Sequence, residues 1–281
     1  MRPLLIIDCN YLCHRARFST GPLSYKGQAT GVIFGFLNQL FTIGKETIPK
    51  NIIFTWDSRQ SKRKRILPEY KGNRKKQDDD SEEDLEATFR QFHMLRKELL
   101  PNLGFKNNWR QVGYEADDLI AEICFTRPEE QIVIASSDND LLQLLTKQVS
   151  IYNLGRKAFY TEQKFIEEYG IKPSQWVEVK KIAGCSSDNV PGIPGVGEKT
   201  AIKYLKGELK SNTKTFQKIQ QGANVIIRND KLVKLPFQGT KIDDIKDQSF
   251  ATQELKWICK HFGFTKMINK LDDWEVLFRR A

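Results

Sequence analysis

The chain has 281 residues, 40% of them hydrophobic, enough for one substantial core and a smaller second one, and it contains no apolar run near the roughly 18 to 20 residues that cross a bilayer. With 45 lysines and arginines against 35 acids the net charge is +10, a balance that favours a polyanionic partner, although charge alone also fits a basic protein that binds no nucleic acid. Five cysteines, Cys9, Cys13, Cys124, Cys185 and Cys259, lack the paired spacing of a zinc site and read as reduced thiols.

Met1-Arg2-Pro3 leads straight into the apolar run Leu4 to Ile7, which is no signal peptide, so a cytoplasmic protein without a membrane partner is expected. Leu4 to Ile7, Ile52 to Trp56 and Ile132 to Ala135 are short continuous apolar runs separated by helical patterns, the signature of buried parallel strands in an α/β sheet. Each run ends at or just before acids: Asp8, then Asp57, then Asp138 and Asp140. The carboxyl ends of parallel strands are where such sheets bind ligands. Phe34, on the apolar helical face beginning at Gly31, reads as core.

From Arg59 to Lys76 there are nine basic residues and one acid, followed by an acidic block from Asp78 to Glu86, a segregation that suits an arch more than a core. Gly113-Tyr114-Glu115-Ala116-Asp117-Asp118 sets three acids at the start of a predicted helix, where the helix dipole explains part of their presence. Ser137-Asp138-Asn139-Asp140 sets two more between strand and helix, and a capping role accounts for one of them. Beyond about residue 175 helices and turns take over, and a subdomain boundary falls near Pro173, giving domains at 1–172 and 173–281.

Seven carboxylates, Asp8, Asp57, Glu115, Asp117, Asp118, Asp138 and Asp140, can therefore meet at one end of the sheet. So many like charges cannot all stay ionised together without cations. All-oxygen ligation suits Mg²⁺ or Mn²⁺, and two such ions about 3.5 to 4 Å apart suit phosphodiester cleavage. The chain has only three histidines and neither a GxSxG elbow nor a GxxxxGK[ST] loop, which disfavours triad hydrolysis and ATP-driven work.

Taken in order, Ile6-Ile7-Asp8-Cys9-Asn10-Tyr11, Phe54-Thr55-Trp56-Asp57, the Gly113 to Asp118 segment and Ser137 to Asp140 resemble the motifs of the 5′ nuclease family of flap endonucleases: the 5′ nuclease domain of bacterial DNA polymerase I, phage 5′ exonucleases and phage RNase H. The resemblance runs to about residue 206. It implies a PIN-like, mostly parallel α/β sheet flanked by helices, a helical arch at about 73–92, and a C-terminal helix-hairpin-helix-like subdomain. The implied activity is 5′ to 3′ exonuclease and flap endonuclease cleavage of DNA with free 5′ ends, flaps or nicks. Asp8, Asp57, Glu115 and Asp117 would favour a first metal, and Asp118, Asp138, Asp140 and Asp188 a second.

Tyr70-Lys71-Gly72-Asn73-Arg74 resembles the family's basic signature, implying that Lys71 and Arg74 lie near the scissile phosphate with Arg63 assisting. Tyr11 and Tyr70 are candidates for stacking bases, with Arg15 as a further DNA contact. The segment from Gly184 to Ile202 resembles the hairpin that grips duplex backbone through Gly192, Gly195 and Gly197, with Lys199 and Lys203 as phosphate contacts. In relatives the carbonyls of this turn hold K⁺; the matching positions are Ile182, Ala183, Pro191, Ile193 and Val196.

Where the family commonly carries the first aspartate of Gly-Asp-x-x-Asp-Asn, this chain has Cys185, and only Asp188 remains. A neutral thiol is a poor ligand for Mg²⁺. Three consequences stay open: little change, a weaker second metal site, or conversion to a non-catalytic DNA-binding module. A nuclease of the same fold acting on RNA-DNA hybrids is the other rival. A monomer is expected, with any polymerase a separate protein.

Overall fold

The structure, a computed structural model, describes residues 2–73 and 81–279. Six strands make the central sheet: β1 (Leu4–Asp8), β2 (Asn51–Thr55), β3 (Asn108–Trp109), β4 (Ile132–Ala135), β5 (Val149–Asn153) and β6 (Ala158–Tyr160), in the order β3-β2-β1-β4-β5-β6. All neighbours pair in parallel except the edge pair β5 and β6. The chain winds outward from β1 to one side and then from β4 to the other. A crevice therefore opens between the carboxyl ends of β1 and β4, where the strand order reverses.

The strands are apolar throughout because both faces are covered. Leu5 and Ile7 of β1 point into one layer, formed by α1 (Cys9–Thr20) and α2 (Gly31–Thr47); Leu4 and Ile6 point into the other, against α4 (Ala116–Thr126). Phe34 is only partly buried and packs against this first layer from its edge, its ring 5.1 Å from Phe264. Part of the expected arch forms α3 (Glu82–Met94), capped by Ser81, which docks on α2: Gln91 Oε1 accepts the N–H groups of Val32 and Ile33, which open that helix. Residues 74–80 of the expected arch, Arg74 among them, lie outside the described residues.

After α5 (Glu162–Tyr169), the helices α6 (Trp176–Ala183), α7 (Glu198–Leu205), α8 (Lys214–Gln221) and α9 (Ala223–Val233) cover the second layer. Residues beyond 173 pack on both layers of the sheet. Lys246 pairs with Asn107 through both its N–H and its carbonyl, and the chain then crosses to the first layer, where α10 (Thr252–His261) and α11 (Leu271–Phe278) bury Leu255, Trp274 and Phe278 beside Phe41 and Phe105. Gly104 allows the crossing: a Cβ there would lie 1.9 Å from the Ser249 carbonyl oxygen. Among the described residues no helix is long and apolar enough to cross a membrane, and all five cysteines are free, buried thiols.

Candidate active site

Asp8 closes β1 and caps α1, its Oδ1 accepting the Tyr11 N–H at 3.0 Å while Oδ2 accepts the Ser136 hydroxyl at 2.8 Å. Asp57 lies two residues past β2, anchored by its own N–H to Asn10 Oδ1 at 3.1 Å, and its Oδ1 accepts the Ala116 N–H at the start of α4. Asp117 sits in the first turn of α4, and Asp138 caps the turn after β4. These four acids, brought in by four separate segments, line one open cleft of about 780 Å³ together with Tyr11, Lys71, Asp140, Lys180 and Cys185. The cleft lies at the β1/β4 crevice.

Crowding shows in their acidities. Burial, reinforced by the charge of Asp57, pushes the Asp8 carboxyl up to about 7. Asp117 is raised well above the usual range by burial and then by Asp138 and Asp8, and Asp138 is raised by desolvation and by Asp140. A donor set of this kind is made for a hard divalent cation, which would remove the repulsion.

Behind this wall a second group is already paired. Lys71 Nζ lies 2.8 Å from Glu115 Oε2 and 3.9 Å from Asp188 Oδ2, and the Tyr70 hydroxyl sits 3.0 and 2.8 Å from the same two oxygens. Burial opposes the charge on Glu115, yet Lys71 and then Arg63 hold its carboxyl below the usual range. Lys71 is thereby fixed at the rim, its ammonium partly open to the cleft.

Four expectations need correction. Asp118 is no metal ligand: it is fully buried, and its two oxygens accept Arg63 Nη1 at 2.8 Å, Arg63 Nη2 at 2.7 Å, the Glu115 N–H at 3.0 Å and the Phe237 N–H at 2.8 Å. Arg63, 2% exposed, spends its remaining Nε–H on the Leu232 carbonyl and does not reach a phosphate. The ring of Tyr70 is equally buried, so no base can stack on it. Pro191 is lost to K⁺ because its carbonyl already takes the Arg228 guanidinium at 2.6 Å and the Asn229 amide at 3.1 Å.

The hairpin between α6 and α7 is built on a close approach. Gly184 and Cys185 pair with Val190 and Pro191, and a Cβ on Gly192 would lie 2.2 Å from the carbonyl carbon and oxygen of Ala183. Ile182 accepts the Ile193 N–H, and Ile193 accepts that of Val196, while the side chains of Ile193 and Val196 turn into the core. Gly195, Gly197, Lys199 and Lys203 are exposed, and Gly197 and Glu198 also line the acidic cleft. Tyr11 and Arg15 share a neighbouring pocket of about 560 Å³ with Asn153 and Arg156.

The family profile described as "5′-3′ exonuclease, N-terminal resolvase-like domain" matches residues 3–170, and "5′-3′ exonuclease, C-terminal SAM fold" matches residues 171–272. The 5′-3′ exonuclease of Aquifex aeolicus is 31% identical over 282 residues, spanning 98% of this chain and 93% of that one. The chain belongs to the 5′-3′ exonuclease family.

Two solved structures share its fold: the zinc-bound T5 5′-exonuclease, at a TM-score of 0.69 with 22% identity over 99% of both chains, and flap endonuclease-1 from Methanococcus jannaschii, at 0.63 with 16% identity over 99% of this chain and 92% of that one. As a member of the 5′-3′ exonuclease family the protein is a hydrolytic nuclease, and its fold is PIN-like.

The exonuclease also contains site residues that motif reading passed over. Asn10 and Ser136 hold Asp57 and Asp8 in place. Lys180 is the larger omission. Its ammonium lies 3.3 Å from Asp140 Oδ1 and 3.0 Å from Glu198 Oε1. Burial works against that charge, but Asp140 and the other neighbouring acids outweigh it and keep Lys180 more basic than usual. The signal was present in the sequence: Lys180 occupies one position of the Trp176, Val179, Lys180, Ala183 stripe, where an apolar residue belongs. Cys185 lies 3.5 Å from Asp140 Oδ2, and burial, with Asp140 adding to it, pushes its thiol up to about 11.

Proposed function

We propose that this exonuclease removes nucleotides from DNA with a free 5′ end and cuts 5′ flaps near their junction, using divalent metal held by Asp8, Asp57, Asp117 and Asp138. The observation that carries this reading is the convergence of those four acids in a cleft that runs on to the glycine hairpin. Bound there, Mg²⁺ or Mn²⁺ supplies Lewis acidity that makes water a better nucleophile and offsets charge on the leaving oxygen.

The chain's own residues do the rest. Lys71, braced by Glu115, presents a positive charge to the scissile phosphate at the rim. Arg74, three residues on, would add a second. Exposed backbone at Gly195 and Gly197, with Lys199 and Lys203 beside it, grips duplex phosphates and sets the distance from the duplex to the acids. We assign K⁺ to the carbonyls of Ile193 and Val196. Tyr11 and Arg15 flank the path of the single strand.

The test is a panel of internally labelled substrates: a 5′-flap DNA, the same flap with an RNA 5′ strand, and a covalently closed single-stranded circle. Short products with 3′ hydroxyls from the DNA flap, and none from the circle, are expected. Faster release from the RNA strand would replace this reading with an RNA-DNA hybrid nuclease.

A further inference from the structure

The far end of the cleft carries the outline of a second cation site, since Asp140, Cys185 and Asp188 each bring a donor atom within 4.8 Å of the others. Two features set that site apart from the Asp8 end. One donor is a thiol, which at neutral pH carries no charge of its own in the absence of a soft metal. The other is that a cation is built in. The Lys180 ammonium stands 3.3 Å from Asp140, its side chain 7% exposed, with the Trp176 ring 5.4 Å away.

This lysine is held rather than draped. Trp176, one turn earlier on α6, donates its indole N–H to the Asn139 carbonyl at 2.9 Å, pinning the helix to the loop that carries Asp138 and Asp140. Glu198, from the first turn of α7, also reaches the ammonium, at 3.0 Å. A divalent ion bound by Asp140 would share a carboxylate with a fixed positive charge, in a place where one carboxylate has also given way to sulfur. Like charges at that separation repel strongly in a partly buried site.

We propose that the Lys180 ammonium is the resident cation of the second position, so that this nuclease takes one divalent ion at its acidic cleft and draws the second positive charge from its own chain. The inference rests on the metal-dependent reading of the Asp8 end. It accounts together for the missing carboxylate at position 185 and for a lysine in the apolar stripe of α6. Lys180 is a positioning residue here: it orders Asp140 and supplies charge near the reacting phosphate.

Mn²⁺ titration followed by the free-ion electron paramagnetic resonance signal gives stoichiometry without turnover. Wild type, Cys185→Asp, Lys180→Met, Lys180→Arg and the double variant Cys185→Asp/Lys180→Met are compared, each with its thermal unfolding recorded to confirm folding. One tight Mn²⁺ is expected for wild type, for Lys180→Arg and for Cys185→Asp alone. In the double variant a second Mn²⁺ should bind at least tenfold more tightly than any second ion in wild type. Two equally tight ions in wild type, or a second ion restored by Cys185→Asp alone, would overturn the proposal while leaving the metal reading intact. No bound Mn²⁺ in wild type would instead remove the metal reading, and the proposal with it.

Discussion

Replacing Asp118 by asparagine separates architecture from chemistry at the helix that carries both. The carboxylate is fully buried and accepts four hydrogen bonds, two from the Arg63 fork and one each from the N–H groups of Glu115 and Phe237. Asparagine keeps the shape but turns an NH₂ toward the guanidinium and leaves Arg63 facing only Glu115, 3.7 Å away. Breaking one side of a buried pair costs about 3–5 kcal/mol. An unfolding entropy of about 2.1 cal/mol/K per residue amounts to about 0.6 kcal/mol/K for a chain of this length, so the expected fall in Tm is about 5–8 °C. Calorimetry in chelator measures that fall, and Mn²⁺ titration of the folded variant should give wild-type affinity. An unchanged Tm with Mn²⁺ affinity reduced tenfold would refute this assignment and return Asp118 to the metal site.

Other perturbations have distinct readouts. Lys71→Ala should lower flap cleavage by about 10²- to 10³-fold, the usual cost of one preorganised donor, and should also lower Tm because the buried Glu115 loses its nearest cation; a loss of cleavage under fivefold in the folded variant would remove Lys71 from the reaction. Asp8 holds its proton to about pH 7 in the folded protein but releases it near pH 3.9 when unfolded. Its contribution to stability is therefore complete below about pH 4 and lost as pH rises through 7, and the rise in Tm on adding Mg²⁺ should grow between pH 6 and 8; a pH-independent rise would argue against metal binding at Asp8. Gly192→Ala forces the hairpin away from Ala183, and binding to nicked duplex should weaken at least tenfold while Mn²⁺ affinity at the acidic cleft persists, which a gel-shift series and a Mn²⁺ titration report together.

Much of the sheet and its acidic end was legible because both follow short-range rules. A strand buried on both faces must be apolar throughout, and the acid that ends it must lie at the carboxyl edge, so Asp8, Asp57 and Asp138 were placed by their runs alone. The three acids at the start of α4 were harder. Successive residues on a helix point about 100° apart, so Asp117 turns to the cleft and Asp118 away from it, and only the position of Arg63 reveals which carboxylate is structural.

The same limit applied to Tyr70 and Pro191, whose partners Asp188 and Arg228 are distant in sequence. The return of α10 and α11 to the first layer was illegible for another reason. An apolar helix face announces that it will be buried, but not on what.

The most direct measurement compares wild type with Asp117→Asn on a 3′-labelled 5′-flap DNA, in Mg²⁺ and in chelator. Wild type should cut near the junction in Mg²⁺ alone, and Asp117→Asn should bind the flap without cutting it. Cutting in chelator, or by Asp117→Asn at the wild-type rate, would contradict a metal centre at these four acids.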